Sequence, residues 1–365
     1  MNKIRIGILF GGRSGEHEVS LMSSKSVLSV LDPQKYEITE IGITQDGQWW
    51  SGHGTWQQFH DKKMDGLYRV LLIPEPGKTI LYKNQGDRLE VVTELDVIFP
   101  VLHGTFGEDG TLQGFFEMAD IAYVGAGVLG SSVGMDKALF KDVMRANDIP
   151  VVDWIVASRV FAEKHIDEIV KGTEMLGEYP FFIKPANLGS SVGITKCKNR
   201  SDLMEGILEA CRYDRRILIE KGVENAREIE ISVLGNENPR ASIPGEIKPA
   251  DEFYSYNAKY YNDQSELIIP APLSKEMVSQ MQEIAIRTYK AIDCAGMARV
   301  DFLVNGKTNQ LFINEVNTIP GFTKISMYPK LWEACGLKYA ELVDELVNLA
   351  FERKAERNRS ERKLS

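Results

Sequence analysis

The chain has 365 residues, 43% hydrophobic and 26% charged, with a formal net charge of −9. That length allows two or three domains with cores of their own, at roughly 100–200 residues each. The acidic balance argues against a nucleic-acid binder, which more usually presents a basic face, and no stretch approaches the roughly 18 consecutive apolar residues of a membrane helix.

The opening residues lead straight into an apolar run, without the length or cleavage site of a secretory signal. Ile4–Phe10 reads as a buried strand ending in a ligand-type turn at Gly11-Gly12. Helical spacing follows from about His17 to Leu31 and stops at Asp32-Pro33. Tyr36–Ile43, Asp96–Leu102 and Ile121–Val124 read as further strands, and the alternation implies a parallel sheet with right-handed crossovers. Between them Gln45–Gln85, rich in Gly, Trp, Gln and Lys, reads as an excursion with short strands of its own. It would cover a sheet edge or build a subunit contact.

The small, Gly-rich stretch Gly125–Ser132 marks a domain boundary. Beyond it the pattern predicts helix Met135–Asn147, strand Val151–Val156, helix Phe161–Leu176 and strand Phe181–Lys184. A Gly/Ser loop, strand Ile194–Cys197, helix Ser201–Cys211 and strand Arg216–Glu220 follow. The last part is strand-rich: Glu228–Leu234, Ala241–Ile247, Ala298–Val304 and Gln310–Asn314, with helix Ser274–Ile292 among them and Tyr339–Arg353 closing. The charged tail Glu352–Ser365 reads as a solvated helix end. Cys197, Cys211, Cys294 and Cys335 are scattered without a Cys-x-x-Cys pair. Neither a zinc site nor a disulfide framework is expected, and a reducing cytoplasm fits best.

Three constellations carry chemistry. In Lys184-Pro185-Ala186-Asn187-Leu188-Gly189-Ser190-Ser191-Val192-Gly193, a strand-end lysine meets a loop of glycines and serines. The lysine is a point charge for phosphate, and the loop offers backbone N–H groups and hydroxyls; a solvated turn is the plain alternative. No Gly-x-x-x-x-Gly-Lys-Ser/Thr is present, so a nucleotide here would be gripped by a loop between strands. Second, Arg299-Val300-Asp301-Phe302 and Asn314-Glu315-Val316-Asn317 place oxygen donors inside apolar strands. Glu315 and Asn317, two apart, share one face, as do Arg299 and Asp301. Hard oxygen ligands suit Mg²⁺, and an arginine beside them suits phosphate or an oxyanion. Third, the Tyr-rich segment Tyr254–Tyr260 reads as a lid over substrate, or as a surface loop packed by its own aromatics.

Smaller signals sit at the ends of the early strands. Glu16 in Gly11–Glu18 is placed to bind an ammonium, or simply to favour a helix N-terminus. His103, in a Gly-rich turn, is a better ligand candidate than His53, His60 or His165. Gly125-Ala126-Gly127-Val128-Leu129-Gly130 matches the dinucleotide pattern Gly-x-Gly-x-x-Gly, but no strand-end acid follows about 20 residues on.

With these motifs in order along almost the whole chain, the sequence resembles the ATP-grasp superfamily, and closely the D-alanine–D-alanine ligases. The most specific stretches are Gly11–Ser20, His103–Gly110, Lys184–Gly193, Tyr254–Tyr260 and Asn314–Met327. The resemblance implies an α/β fold (α+β overall), the ATP-grasp fold. A substrate-binding α/β domain would span 1–125, a small central domain 126–220, and a catalytic domain 221–365 with lid loop 249–265. It implies ligation of two D-alanine molecules through an acyl phosphate, in a cytoplasmic homodimer. By resemblance, Lys137, Lys184 and Ser191 serve the ATP phosphates, and Glu220, Val223 and Glu228 lie where adenine and ribose bind. Asp301, Glu315 and Asn317 would hold two Mg²⁺ ions, with Mn²⁺ a substitute. Glu16 would fix the first D-alanine's ammonium, with His103 near its carboxylate. Arg299 and the Gly321 N–H would form the oxyanion site, and Ser326 and Met327 would hold the second D-alanine. Tyr260 would reach Glu16 through Ser190. The Tyr-x-Ala-Lys-Tyr lid is intact, which favours the dipeptide over D-alanyl-D-lactate. The alternatives are an ATP-grasp ligase for another carboxylate and amine, a nicotinamide-dependent oxidoreductase using Gly125–Gly130, and an inactive nucleotide-binding module.

Overall fold

The computed structural model describes residues 2–248, 266–323 and 325–361. Its elements begin with β1 (Ile4–Gly11), α1 (His17–Leu28) and β2 (Tyr36–Ile43), as the apolar runs predict. β1 pairs in parallel with β2 on one side and with a later strand, Val97–Pro100, on the other. The predicted strand Ile121–Val124 shrinks to one parallel bridge between Ile98 and Tyr123.

The excursion after β2 forms β3 (Trp49–Ser51), α2 (Thr55–His60), β4 (Tyr68–Leu72), β5 (Thr79–Asn84) and β6 (Leu89–Leu95). These strands pair antiparallel and extend the edge of β2, giving a seven-stranded sheet in the order β6-β5-β4-β3-β2-β1-β7, with β7 the Val97–Pro100 strand. The sheet is therefore mixed rather than purely parallel. Parallel neighbours need crossovers of about a dozen residues or more, whereas these connections are short hairpins.

Next come α3 (Thr111–Met118), α4 (Val128–Met135) and α5 (Lys137–Ala146). Most of the Gly-rich boundary stretch Gly125–Ser132 lies in α4, which starts at Val128. A Cβ on Gly130 would lie 3.0 Å from the Asp293 carbonyl, and one on Gly134 3.1 Å from Thr318 Cγ2. These glycines allow close packing of α4 on later parts of the chain, which gives Gly130 of the dinucleotide-like motif a packing role.

A four-stranded antiparallel sheet follows, ordered β10-β9-β11-β8 from β8 (Trp154–Ser158), β9 (Phe181–Pro185), β10 (Thr195–Cys197) and β11 (Arg216–Lys221). Helices α6 (Arg159–Glu174) and α7 (Arg200–Tyr213) cover it over a core that includes Phe181, Ile183, Leu203 and Ile219. The third sheet is built on β12 (Ala226–Leu234), with β13 (Arg240–Ala241), β14 (Gly245–Lys248) and β15 (Glu266–Ile268) to one side. Helix α8 (Lys275–Ala291) precedes its last strands, β16 (Met297–Asn305) and β17 (Leu311–Asn317). On β12, Ile229, Ile231 and Val233 enter the core beside Tyr289 of α8. Strand alternation therefore turns Glu228 and Glu230 to the opposite face.

The chain ends with α9 (Met327–Ala334) and α10 (Tyr339–Arg357). Helix α10 packs back on the first sheet, where Leu342, Val343 and Leu346 share a core with Ile6, Ile8 and Val97. Its charged end is solvated in part, with Glu352, Glu356 and Arg359 exposed, but Arg353 lies 3.4 Å from Glu117, and Arg357 2.7 Å from Asp120.

Candidate active site

A cleft of about 1300 Å³ is lined by residues of the second and third sheets and by connections of the first. Its floor on the third sheet follows from register. Asp301 on β16 lies opposite Glu230 of β12 and Glu315 of β17, and Arg299 opposite Ser232 and Asn317. Arg299 donates from Nε and Nη2 to the two Asp301 oxygens, each at 2.7 Å, and its Nε lies 3.0 Å from Glu230 Oε2. Asn317 Nδ2 donates to Asp301 Oδ2 at 3.0 Å. Burial works against the guanidinium charge, but Asp301 and Glu230 outweigh it and raise the pKa well above the ordinary arginine value. Glu230 was not singled out from sequence.

Between Phe302 and Asp301 the pairing with β17 skips Asn314, a bulge that re-aims this side chain. Asn314 Oδ1 accepts from Lys184 Nζ at 3.2 Å. Lys184 ends β9 and also pairs with Glu220 of β11. The other Glu220 oxygen lies 3.0 Å from Lys141 Nζ. Burial would raise the Glu220 pKa, yet Lys141 and Lys184 overcome it and hold the carboxyl at about 2. Burial also opposes the charge on Lys184, but Glu220 and Glu315 prevail and its pKa is raised. Lys137 opens α5 behind the capping residue Asp136, whose Oδ1 accepts from the Leu139 N–H at 3.0 Å. Lys137 Nζ donates to the Leu188 carbonyl at 2.6 Å and lies 4.0 Å from Glu315 Oε2. Ser191, Glu220, Val223 and Glu228 line the same cleft, and both Glu220 oxygens face lysines.

The donor set suits a hard cation. Asp301, Glu315 and Asn317 offer oxygens from adjacent strands. Acidic side chains outnumber basic ones along the cleft lining, so a polyanionic nucleotide would need added positive charge. Among the described residues no three His, Cys, Asp or Glu side chains converge as a protein-only metal cage.

At the other end, Glu16 caps the start of α1 and is buried. Its Oε1 accepts from the Ser190 hydroxyl. A Cβ on Gly104 would lie 2.4 Å from Glu16 Oε2, and one on Gly189 2.6 Å. The carboxylate is thus wedged between the first domain's His103-Gly104 turn and the Lys184–Gly193 loop. Ser190 and Ser191 both take left-handed backbone angles, φ 52 and 60, an uncommon state for residues with a Cβ. Tyr260 and the Tyr254–Tyr260 segment lie outside the described residues.

His103 is buried with both ring nitrogens engaged: Nδ1 lies 3.0 Å from the Ile319 carbonyl and Nε2 2.9 Å from Ser23 Oγ. Nδ1 therefore carries a proton. Burial alone would disfavour the imidazolium, but Glu108, 3.7 Å from Nδ1, more than offsets it and raises the pKa. A raised folded pKa stabilises the fold fully below the unfolded value, about 6.5, and that gain is lost as pH rises through the folded value. Urea midpoints measured across this range should fall with pH in the parent and change less in His103→Gln. Parallel pH profiles would remove the His103–Glu108 contact from the stability.

The Ile319 turn leads to Gly321, where a Cβ would lie 2.8 Å from Ser326 Oγ. That hydroxyl accepts from the Thr323 N–H at 3.0 Å. Ser326 precedes α9, and no side chain caps this helix. The Met327 side chain is buried against Ile247 and Leu331, so its backbone N–H is the group suited to an anion at the helix start.

The fold, with its cleft between antiparallel sheets, is of the ATP-grasp class, as in the solved structures similar to it. One is the D-alanine-D-alanine ligase from Coxiella burnetii, with TM-score 0.82 and 36% identity, covering 98% of this chain and 97% of that one. Another is the VanG D-Ala:D-Ser ligase from Enterococcus faecalis, with TM-score 0.82 and 33% identity, covering 96% of this chain and 100% of that one. The family model for the D-ala D-ala ligase N-terminus matches residues 5–126, and that for the D-ala D-ala ligase C-terminus matches 143–348. A D-alanine–D-alanine ligase of Natranaerobius thermophilus is 48% identical over 361 residues, 99% of this chain and 98% of the relative. One from Thermoanaerobacter sp. is 50% identical over 364 residues, 96% of this chain and 98% of the relative. The chain belongs to the D-alanine–D-alanine ligase family.

Proposed function

We infer that this chain uses ATP to join two D-alanine molecules into D-alanyl-D-alanine, for peptidoglycan precursor synthesis. The observation that carries the inference is one cleft that gathers Glu16, Lys137, Lys184, Arg299, Gly321 and Ser326 within a chain similar to such ligases over 99% of its length.

Lys137 and Lys184 meet the ATP phosphates, with the Ser190-Ser191 loop folded against them. Adenine and ribose lie along Val223 and Glu228, and Glu220 serves by holding the lysines. Asp301, Glu315 and Asn317 would hold Mg²⁺, as two ions, with Mn²⁺ able to replace them; bound there, the ions would supply positive charge to the phosphates. Glu16 binds the ammonium of the first D-alanine. His103 orders the Ile319–Gly321 turn beside the carboxylate. One carboxylate oxygen attacks the γ-phosphorus, ADP leaves, and an acyl phosphate forms. The second D-alanine, held by Ser326 and the Met327 N–H, attacks the carbonyl carbon through its neutral amine. Arg299 and the Gly321 N–H stabilise the oxyanion, and phosphate departs with the transferred oxygen as the nitrogen loses its proton.

The working form is a cytoplasmic homodimer. Supporting a subunit contact, the edge strand β6 exposes Leu89 and Val91. Among the described residues no helix is long and apolar enough to cross a membrane.

D-Alanine labelled with oxygen-18 in its carboxylate should deliver one labelled oxygen to phosphate per turnover. Dipeptide with unlabelled phosphate would overturn the acyl-phosphate route, and absence of dipeptide would overturn ligation. Gly104→Ala should raise the KM for D-alanine and spare that for ATP. It places a methyl on the Glu16 carboxylate and strains a left-handed position by about 1–2 kcal/mol. An unchanged KM for D-alanine would remove Glu16 from substrate binding.

A further inference from the structure

Lys141 lies one helical turn beyond Lys137 on α5 and is 1% exposed. A buried ammonium is costly unless its charge is compensated. Its Nζ is 3.0 Å from Glu220 Oε2, while Lys184 holds Oε1 of the same carboxylate. The Trp154 ring centre lies 5.8 Å from that nitrogen. The contact with Glu220 is close but not aligned as a hydrogen bond, so it works as charge against charge. Lys184 and Glu220 by themselves make a neutral pair with little pull on an anion. Lys141 leaves the cluster with one net positive charge, and in a buried setting that charge is weakly screened.

We propose that Lys141 is a positioning residue for the nucleotide: by sharing Glu220 with Lys184, it offsets that carboxylate and leaves more of the Lys184 charge available to the phosphates, without touching them itself. The inference rests on the reading of Lys184 as a phosphate ligand. It assigns a purpose to a buried lysine that the reaction itself does not use. It also explains why Glu220 has two lysines rather than one.

The test is steady-state kinetics of full-length variants with ATP, Mg²⁺ and D-alanine. Lys141→Met should raise the KM for ATP about tenfold or more, from loss of one weakly screened charge, with little change in the KM for D-alanine. Adding Glu220→Gln to Lys141→Met restores the single positive charge and should return the KM for ATP most of the way to the parent value. Lys141→Arg keeps the charge and should stay close to the parent. Lys141→Gln gives the same charge loss with a side chain that still reaches Glu220, should the methionine variant not fold. A merely structural lysine would lower thermal stability and leave the KM for ATP unmoved, and the second substitution would not rescue it; either result overturns the inference. Lys184→Met separates the two readings. An unchanged KM for ATP there overturns the role of Lys184 and the inference with it. A raised KM there, with a parent-like Lys141→Gln, overturns the inference alone.

Discussion

Glu315→Gln is expected to lose about 10²–10³-fold in kcat, the scale of removing one preorganised electrostatic group, while the protein still unfolds cooperatively near the parent midpoint. Glu315 faces Asp301 across the sheet and lies 4.0 Å from Lys137. The amide keeps the shape of the side chain but removes one of the two carboxylates available to a cation. It also withdraws a negative charge that helps to keep Lys184 protonated. The Glu315 side chain is 23% exposed, and the amide keeps its size and hydrogen-bonding shape, so the fold should tolerate the change. ADP release and thermal unfolding, measured together, check the expectation. Near-parent turnover would take Glu315 out of the metal site.

Arg299→Met is expected to damage fold and activity together. Arg299 is the cation between Asp301 and Glu230. Without it two largely buried carboxylates face each other across the register. Breaking such an arrangement by removing one partner costs about 3–5 kcal/mol. The same substitution removes the charge placed at the oxyanion. Adding Glu230→Gln separates the two effects: the urea midpoint should recover in part, while kcat stays low. If kcat recovers along with the midpoint, Arg299 is a structural cation with no place in the chemistry.

Much of this site was legible in the sequence, for a physical reason. Polar residues in apolar strands declare themselves, and the two-residue period puts Arg299 with Asp301 and Glu315 with Asn317 on shared faces. The bounds of β2, Tyr36–Ile43, follow from an apolar run isolated by Asp32-Pro33. What escaped notice depended on tertiary packing. Glu230 carries the same alternation as Glu228, but only the pairing of β12 with β16 shows that it faces Arg299. Lys141 shares the buried face of α5 with Phe140 and Met144. A lysine four residues after Lys137 on an otherwise apolar face was the available signal. Gly130 carries a dinucleotide-like spacing at a domain boundary in the sequence, and its packing role shows only against Asp293, which is distant in sequence. The basic end of α10 looked solvated for the same reason, since its partners Glu117 and Asp120 belong to the first domain.

The acceptor is the point on which relatives diverge: one similar structure is a D-Ala:D-Ser ligase. The decisive measurement is therefore a product assay with ATP, Mg²⁺ and D-alanine, repeated with D-serine, D-lactate or L-alanine added or substituted. The expected result is D-alanyl-D-alanine, ADP and phosphate in equal amounts, with the mixed products minor and no turnover on L-alanine alone. Phosphate release supported by L-alanine or D-lactate but not by D-alanine would contradict the account.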